Sequence, residues 1–316
     1  EQKKATLQRA WQIVEKAEVS WEARIVAKET DLRCVPSHEG FFTAPVDPDF
    51  DRNQCSRLHL GEPVRVLRVS ADGHWRYVHA GHSVGWVAGE VLTPPLLVEE
   101  VQAFRAPEAQ LFVTRDGVSL PDGQALRMGT RLPLLGRSEG GLQVALPTPQ
   151  GLSPVVLEGR DELHEGPLPF TRENVWRLAL STLGDPYGWG GRAGGRDCSR
   201  LLLDLFRVFG IELGRHSLAQ PRGGVRTVEL EGLDEAAKTL AIREAVRDNI
   251  VFLYMSGHIM LYLGEKDGVP YAVSAISEIV RPCEGEGDQV VRIDRTVVSD
   301  LEVGRHTERT SFIERM

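Results

Sequence analysis

Cys198 and His258 are the two residues whose types and surroundings best suit nucleophilic chemistry. Cys198 follows a glycine-rich loop, 185–197, and opens an apolar-periodic segment that Gly210 ends as a helix C-cap would. A thiol in the first turn of a helix feels the partial positive charge of unpaired backbone N–H groups, which lowers its pKa and favours the nucleophilic thiolate. From this stretch alone, a small buried cysteine that helps the helix to pack is an equally good interpretation.

A nucleophilic thiol needs a base within hydrogen-bond reach, and His258 is the best candidate among the nine histidines. It directly follows Ser256-Gly257 and begins an alternating stretch, so we expect it at the end of a strand, where a cleft can form. His216 is the nearest rival. A hydrogen-bonded structural histidine at a strand start is the simpler alternative, and residue type alone favours it.

Length and composition are typical of a globular protein of two or three domains. The chain has 316 residues, of which 41% are hydrophobic and 26% charged, and its 32 glycines and 18 prolines favour many turns and β-rich parts. A net charge of -8 gives a nucleic-acid role no electrostatic support. No apolar run is long enough to predict a transmembrane segment. The absence of methionine before Glu1 suggests a trimmed form, compatible with a removed leader or lipid anchor.

The first half of the chain is predicted to contain two small β-barrels behind a helical arm. Residues 1–28 are amphipathic and are expected to form that arm. Strands of four to seven residues joined by tight turns then indicate one barrel over 29–97 and a second over 98–165. The predicted strands are 63–69, 75–79 and 84–88 in the first barrel, and 110–114, 132–136, 141–145 and 154–157 in the second.

The last part of the chain, 166–316, is predicted to be α+β. Thr171 is a credible N-cap for an amphipathic helix over 172–183, and the helix that starts at Cys198 follows. A charged segment with little periodicity covers 225–247. Strands are then expected at 250–255, 258–263 and 270–276.

Two Cys-x3-His pairs in the first barrel leave three interpretations open. Cys34 with His38 and Cys55 with His59 supply four ligands of the kind that zinc prefers, although the spacing is not that of a known zinc finger or ribbon. A Cys34–Cys55 disulfide and two unrelated free thiols are the alternatives.

Four stretches, in this order, resemble motifs of the NlpC/P60 family, the papain-like cysteine peptidases of bacterial cell walls. They are Tyr187-Gly-Trp189-Gly-Gly, Asp197-Cys198-Ser199, Arg215-His-Ser217-Leu-Ala-Gln220 and Gly257-His258-Ile-Met-Leu-Tyr-Leu-Gly264. Ser70-Ala-Asp-Gly-His-Trp75 and Gly85-Trp86-Val87 are similar to the first SH3b domain of such peptidases. The resemblance implies an α+β fold class: a papain-like catalytic domain, 166–316, preceded by two small all-β SH3-like barrels.

The resemblance also implies a role for each matching residue. Cys198 would attack the γ-D-glutamyl–diamino acid amide of a peptidoglycan stem peptide, with His258 as base and then acid. The backbone N–H of Cys198 would help to hold the oxyanion. Tyr187 and Trp189 would line the cleft. The groups that bind the substrate backbone and its free N-terminal L-Ala ammonium would be Asp197, Ser199 and Ser217, although Asp197 also suits a helix N-cap.

Three departures from the family pattern are visible. The third catalytic position, usually a second histidine, aligns with Ser274, which is neutral and short; Glu278, Asp267 or a bridging water are the alternatives for orienting His258. Arg200 stands where glycine is usual, and we expect it to reshape or crowd one side of the cleft. The linker between Ser217 and His258 is long enough for an extra loop over the site.

The expected function is therefore thiol hydrolysis of a cell-wall stem-peptide amide outside the cytoplasm, with a small peptide as substrate and no metal or organic cofactor. The oligomeric state is not predicted. A catalytically weak or inactive relative that binds muropeptides is an alternative, motivated by Ser274 and Arg200. Acyl transfer or transpeptidation on the same scaffold is the other.

Overall fold

The computed structural model describes residues 21–44, 46–283 and 287–316, and the chain divides into two compact units. The first unit comprises Glu1–Leu168 with Arg207–Gly210, and the second comprises Pro169–Phe206 and Ile211–Met316. Most of the predicted helical arm, 1–20, lies outside the described residues. Its last part is wrong as a helix, because residues 22–25 form a strand of the first sheet.

The first unit begins with a six-stranded antiparallel sheet whose strand order is β1-β4-β5-β6-β2-β3. Side chains of alternate residues turn inward and form a core that includes Leu32, Leu58 and Val78. The predicted strands at 63–69, 75–79 and 84–88 are confirmed as β4, β5 and β6. The strands are β1 (Glu22–Ile25), β2 (Thr30–Arg33), β3 (Gln54–Leu58), β4 (Pro63–Val69), β5 (Trp75–Ala80) and β6 (Ser83–Ala88).

A disulfide joins Cys34, directly after β2, to Cys55 within β3. Their Cα atoms are 5.2 Å apart, which is the usual separation for such a bond. The sequence left open a zinc site, a disulfide or two free thiols, and the structure contains the disulfide. A bridged sulfur carries no thiolate, so the two Cys-x3-His pairs do not provide a four-ligand zinc site in this state.

A second β region follows within the same unit, and it shares a hydrophobic core with the first. Its five-stranded sheet has the order β12-β11-β10-β7-β13, beside a small β8–β9 pair. Phe104 of the helix α1, which the sequence did not predict, packs in one cluster with Ile25 and Leu60 of the first region and Leu111 and Leu132 of the second. The elements are α1 (Val98–Arg105), β7 (Gln110–Val113), β8 (Val118–Ser119), β9 (Ala125–Leu126), β10 (Arg131–Ser138), β11 (Gly141–Thr148), β12 (Gly151–Leu157) and β13 (Leu163–Glu165).

The second unit is α+β, with an antiparallel sheet in the order β14-β15-β16-β17. Its core joins Ile242 of α4 and Phe312 of α5 to Met260 and Ile276 of the sheet. Helix α4 lies in the segment that lacked periodicity, and β17 was not predicted. The elements are α2 (Arg172–Ser181), α3 (Cys198–Arg207), α4 (Glu235–Val246), α5 (Phe312–Arg315), β14 (Phe252–Met255), β15 (His258–Lys266), β16 (Val269–Arg281) and β17 (Gln289–Asp300). No helix in the described parts of the chain is long and apolar enough to cross a membrane.

Helix α3 is buried along its whole length, including its charged residues. Buried charges are stable only when they are paired, and Asp204 lies 2.7 Å from Arg200 Nε and 3.0 Å from Arg196 Nε. The side chain of Arg200 is 1% exposed. The expectation that Arg200 crowds the cleft is therefore wrong, because this cation is held inside the domain against its own helix.

Candidate active site

The glycine-rich loop before α3 owes its shape to close backbone contacts. A Cβ atom on Gly195 would lie 2.7 Å from the carbonyl oxygen of Tyr187, and one on Gly188 would lie 2.3 Å from that of Arg192. Only glycine fits at these two positions. The loop thereby brings Tyr187 back beside Arg196, with which it forms an isolated bridge next to the start of α3.

Cys198 occupies the first position of α3 and is buried. Its sulfur accepts a hydrogen bond from the backbone N–H of Ile259. Ile259 directly follows His258, so the thiol lies against the beginning of β15. The predicted nucleophile and the strand that carries the predicted base therefore meet in the structure.

A tight turn and a hydrogen bond position His258. Met255 pairs with His258 across the two-residue turn Ser256-Gly257, in which Gly257 has a φ of +82°. The Nε2 atom of His258 lies 3.0 Å from Ser274 Oγ, and Ser274 is 1% exposed. For the other ring nitrogen, Nδ1, to accept a thiol proton, Nε2 must carry a hydrogen and donate it to Ser274.

Ser274 is thus the residue that hydrogen-bonds to the far ring nitrogen of His258. Of the residues that the sequence offered as alternatives, Glu278 pairs with Arg309 at 2.7 Å and with Arg292 at 3.5 Å. Asp267 lies in the turn between β15 and β16 with a φ of +54°. A neutral hydroxyl orients the imidazole ring but contributes no charge that would stabilise an imidazolium.

The electrostatic surroundings of Cys198 oppose the expected thiolate. Burial, and then the negative charge of Asp197, raise the pKa of the Cys198 thiol to about 12. The hydrogen bond from Ile259 and the charge of Arg215 act in the opposite direction but do not outweigh burial. The prediction of a lowered pKa is therefore wrong, because it considered only the helix dipole and omitted burial and the adjacent carboxylate.

His258 is shifted in the direction that keeps its ring neutral. Burial, and then the positive charge of Arg315, lower its pKa to about 4, while Asp197 opposes this shift. Near neutral pH the resting site therefore holds a thiol and a neutral imidazole.

A buried ion pair anchors the residue before the nucleophile. Arg215 donates to both carboxylate oxygens of Asp197, at 3.0 and 2.7 Å, and to Ser199 Oγ at 2.9 Å. Ser199 Oγ and the backbone N–H groups of Arg200 and Gly190 donate to the same carboxylate, at 3.0, 2.8 and 2.9 Å. Asp197 is therefore the N-cap of α3, as one interpretation of the sequence held.

These five hydrogen bonds use the acceptor capacity of the Asp197 carboxylate. The Asp197 pKa is lowered: burial alone would raise it, but Arg215 and the hydrogen bonds outweigh burial. The Arg215 guanidinium thus lies against the carboxylate that is expected to bind a substrate ammonium, and that role of Asp197 stays a prediction.

The remaining predicted residues lie on the same loops. The hydroxyl of Tyr187 hydrogen-bonds to Ser277, and burial raises its pKa. Trp189 begins a kinked stretch, Trp189–Gly194, whose residues 190–193 have non-helical backbone angles, and it is partly exposed. Ser217 is partly exposed, and within the described residues its hydroxyl has no hydrogen-bond partner. His216, the rival base, is exposed, and burial of its ring followed by the charge of Arg215 lowers its pKa.

Sequence reasoning assigned no role to two cations near the site. Arg215 stands inside the motif 215–220, and the need of a carboxylate at a buried helix start for a counter-ion is the signal that could have identified it. Arg315 and Phe312 of α5 also face His258, with 5.8 Å between the Phe312 and His258 ring centroids. Nothing in the sequence pattern indicated this contact. Within the described ranges, no group of three or more His, Cys, Asp or Glu side chains is arranged to hold a metal ion.

Two protein-family models match parts of this chain. Residues 184–279 match the model of the NlpC/P60 family, and residues 40–88 match that of an SH3 domain of the SH3b1 type. The chain therefore contains an NlpC/P60 domain and an SH3b-type domain. The NlpC/P60 match covers Cys198, His258 and Ser274.

Several named proteins and solved structures are similar to this chain. Proteins of Mycobacterium tuberculosis and Mycobacterium bovis named "probable endopeptidase" are 32% identical over 117 residues, which are 37% of this chain and 27% of theirs. The chain thus spans about a quarter of the length of these relatives. An NlpC/P60 endopeptidase from Photobacterium damselae subsp. piscicida has a TM-score of 0.79 at 18% identity, over 95% of this chain and 72% of that one. An NlpC/P60 family protein from Bacillus cereus has a TM-score of 0.60 at 19% identity, over 93% and 97%. At such identities the likeness shows the fold.

Replacing Arg215 by methionine tests the anchoring role of the ion pair. The variant leaves the Asp197 carboxylate buried without its counter-ion, and we expect the free energy of unfolding at pH 7 to fall by about 3–5 kcal/mol. Because the Asp197 pKa is lowered in the folded wild type, its contribution is present above the ordinary value of 3.8 and is lost as the pH falls through the folded value. The difference between wild type and variant should therefore shrink toward pH 3, as measured by urea denaturation.

Arg243→Met is the matched control, because Arg243 forms an exposed ion pair with Glu265. This variant should leave the stability of the NlpC/P60 domain nearly unchanged. An Asp197→Asn/Arg215→Met double variant should recover part of the loss, since it no longer buries a lone charge. An Arg215→Met variant as stable as the control would contradict the anchoring role.

Proposed function

We propose that this protein is a cysteine peptidase that hydrolyses the γ-D-glutamyl–diamino acid amide of peptidoglycan stem peptides. The observation that carries the proposal is the meeting of a thiol and an imidazole: Cys198 at the start of α3 lies against β15, which His258 begins, and Ser274 holds the far nitrogen of that imidazole. The family match supports a peptidase. The γ-D-glutamyl bond is the finer part of the proposal and rests on the resemblance of the motifs.

The reaction begins with proton transfer from the Cys198 thiol to His258 Nδ1 as the sulfur attacks the amide carbonyl carbon. The carbonyl oxygen takes up the negative charge and accepts a hydrogen bond from the backbone N–H of Cys198, at the N-terminus of α3. His258 then gives its proton to the amide nitrogen, and the C–N bond breaks to leave a thioester on Cys198. Water, deprotonated by His258, hydrolyses the thioester and restores the thiol.

The neutral states of Cys198 and His258 determine when the proton moves in this reaction. A thiol with a raised pKa and an imidazole with a lowered one do not exchange a proton before substrate arrives. Proton transfer is therefore coupled to attack, and the oxyanion contact must develop in the same step. Ser274 keeps the ring in the required tautomer throughout.

Recognition of the substrate falls to residues around the Cys198 end of the site. The partly exposed Trp189 offers an apolar wall, and the Tyr187 hydroxyl is held near the nucleophile by Ser277. Ser217 is the hydroxyl with unused hydrogen-bonding capacity, and we assign it to the free N-terminal L-Ala of the peptide. Asp197 and Ser199 act instead through Arg215, by fixing the loop and the helix start.

A cell-wall substrate implies that the protein acts outside the cytoplasm. The SH3b-type domain at 40–88 supports this setting. Residues 98–165 have the same short antiparallel strands and share its core, so we propose a second SH3b-type barrel there.

A muropeptide-binding protein of low activity is the second candidate function. The observation in its favour is the electrostatic state of the site, in which Ser274 adds no charge to support the imidazolium and Asp197 disfavours the thiolate. Such a protein would bind the same peptide without cleaving it.

Incubation with L-Ala-γ-D-Glu-meso-diaminopimelate, followed by chromatography of the products, distinguishes the two candidates. We expect the wild type to release diaminopimelate, Cys198→Ala to release none and Cys283→Ala to match the wild type, because Cys283 is exposed and outside the site. N-acetylation of the peptide should slow cleavage. Binding to wild type without cleavage would favour the second candidate, and cleavage by Cys198→Ala would rule out the proposed nucleophile.

Ser274→Ala tests the group that orients the base. Loss of one buried hydrogen bond to His258 should lower kcat about 2- to 10-fold with little change in KM. Ser299→Ala is the matched control, because this serine lies in the neighbouring strand β17 and its hydroxyl makes no hydrogen bond. An unchanged kcat in Ser274→Ala would show that the ring does not depend on this hydroxyl.

A further inference from the structure

Arg315 is an exposed guanidinium next to the candidate base. It lies three residues after Phe312 in α5, so the two side chains are on the same face of that helix. Phe312 packs against the His258 ring with 5.8 Å between centroids. The charge of Arg315 is close enough to affect the protonation of His258.

No carboxylate within the described residues pairs with Arg315. The charged group that acts on the pKa of Arg315 is another cation, Arg309, which itself pairs with Glu278 at 2.7 Å. Burial, and then Arg309, lower the pKa of Arg315, so its surroundings disfavour a lone cation at this place. An anion that arrived at Arg315 would relieve that cost.

The position of Arg315 is set by the packing of α5 in the core of the domain. Phe312, Ile313 and Met316 are buried in the core. The buried ammonium of Lys238 in α4 donates to the carbonyl oxygens of Ile313 and Glu314 at 3.1 and 2.9 Å. The short helix α5 that carries Arg315 is thus held rigidly beside the base.

We propose that Arg315 binds a carboxylate of the substrate peptide next to the scissile amide. This inference rests on the proposed function. In the tripeptide L-Ala-γ-D-Glu-diaminopimelate the scissile amide has free carboxylates on both sides, the α-carboxylate of D-glutamate and the α-carboxylate of the diamino acid. A guanidinium fork matches either one by two parallel hydrogen bonds.

Binding at Arg315 also couples recognition to catalysis. In the free protein, burial and the cation of Arg315 both oppose protonation of His258, whereas the carboxylate of Asp197 favours it. The other groups that contact the ring, Ser274 and Phe312, are neutral. A bound carboxylate neutralises Arg315 and makes His258 a stronger base when the substrate is in place. A peptide that lacks the carboxylate gains neither the contact nor the stronger base.

Three peptides separate the two carboxylates: the free tripeptide, its D-isoglutamine form and its form amidated at the diamino acid α-carboxyl. One amidation should lower kcat/KM of the wild type about 10- to 100-fold, and that position identifies the carboxylate that Arg315 holds. Arg315→Gln should lose the same factor on the free tripeptide and should no longer distinguish it from that amidated form. Arg315→Lys should recover part of the loss.

Arg281→Gln is the matched control, because Arg281 is an exposed arginine at the far end of β16, about 20 Å along the strand from Ser274. A second readout is the pH profile. The acidic limb of kcat should lie at higher pH than that of kcat/KM in wild type, because the bound carboxylate raises the pKa of His258, and this gap should narrow in Arg315→Gln.

Different results would rule out the Arg315 contact and the peptidase activity. If the wild type cleaves all three peptides equally, or if Arg315→Gln loses the same factor on all three, the carboxylate contact is overturned while the peptidase remains. If the wild type cleaves none, calorimetry with Cys198→Ala measures binding alone. Weaker binding of one amidated peptide, abolished by Arg315→Gln, would then still support the contact, and equal binding of all three would overturn it.

Discussion

The buried ion pair between Asp197 and Arg215 is the constraint on which the rest of the candidate site depends. Its bidentate geometry forms only when the glycine-rich loop, the start of α3 and the segment after that helix have all reached their final places. Because an unpaired charge at this depth is strongly destabilising, the pair makes partial arrangements unfavourable. Cys198 follows Asp197 directly and is positioned with it.

The same pair explains the electrostatic character of the site. The Asp197 carboxylate that caps α3 also stands beside the thiol, and together with burial it keeps Cys198 protonated. His258 meets this thiol as a neutral base, held by the neutral Ser274 and opposed by the cation Arg315. In the proposed reaction the substrate supplies the interactions that this free site lacks, namely an oxyanion at the helix start and a carboxylate at Arg315.

Much of this arrangement was predictable from local patterns. The helix that begins at Cys198 and the strand that begins at His258 follow from periodicity. The contact of Ser274 with His258 agrees with the alignment that the resemblance to the family implies. What could not be predicted depends on partners distant in sequence. Arg215 meets Asp197 from 18 residues away, and Arg315 reaches His258 only after α5 has packed in the core.

Two errors have physical causes that apply beyond this chain. A helix dipole alone predicted a thiolate, but burial and an adjacent carboxylate outweigh the dipole at Cys198. An arginine at a glycine position predicted a crowded cleft, but Asp204 one turn later gives Arg200 a buried partner. Helix α4 was missed because its apolar residues lack a clear stripe, while its Lys238 is needed to hold α5.

Detection of the acyl-enzyme is the most direct test of the central claim, that Cys198 is the nucleophile of an amide hydrolase. Wild-type protein mixed with the stem tripeptide and quenched in acid within milliseconds to seconds should carry an L-Ala-γ-D-glutamyl group on the peptide that contains Cys198, as identified by mass spectrometry. The adduct should disappear on treatment with hydroxylamine, as a thioester does. Turnover of the tripeptide with no adduct on Cys198 at any quench time, or with an adduct on another residue, would contradict the account.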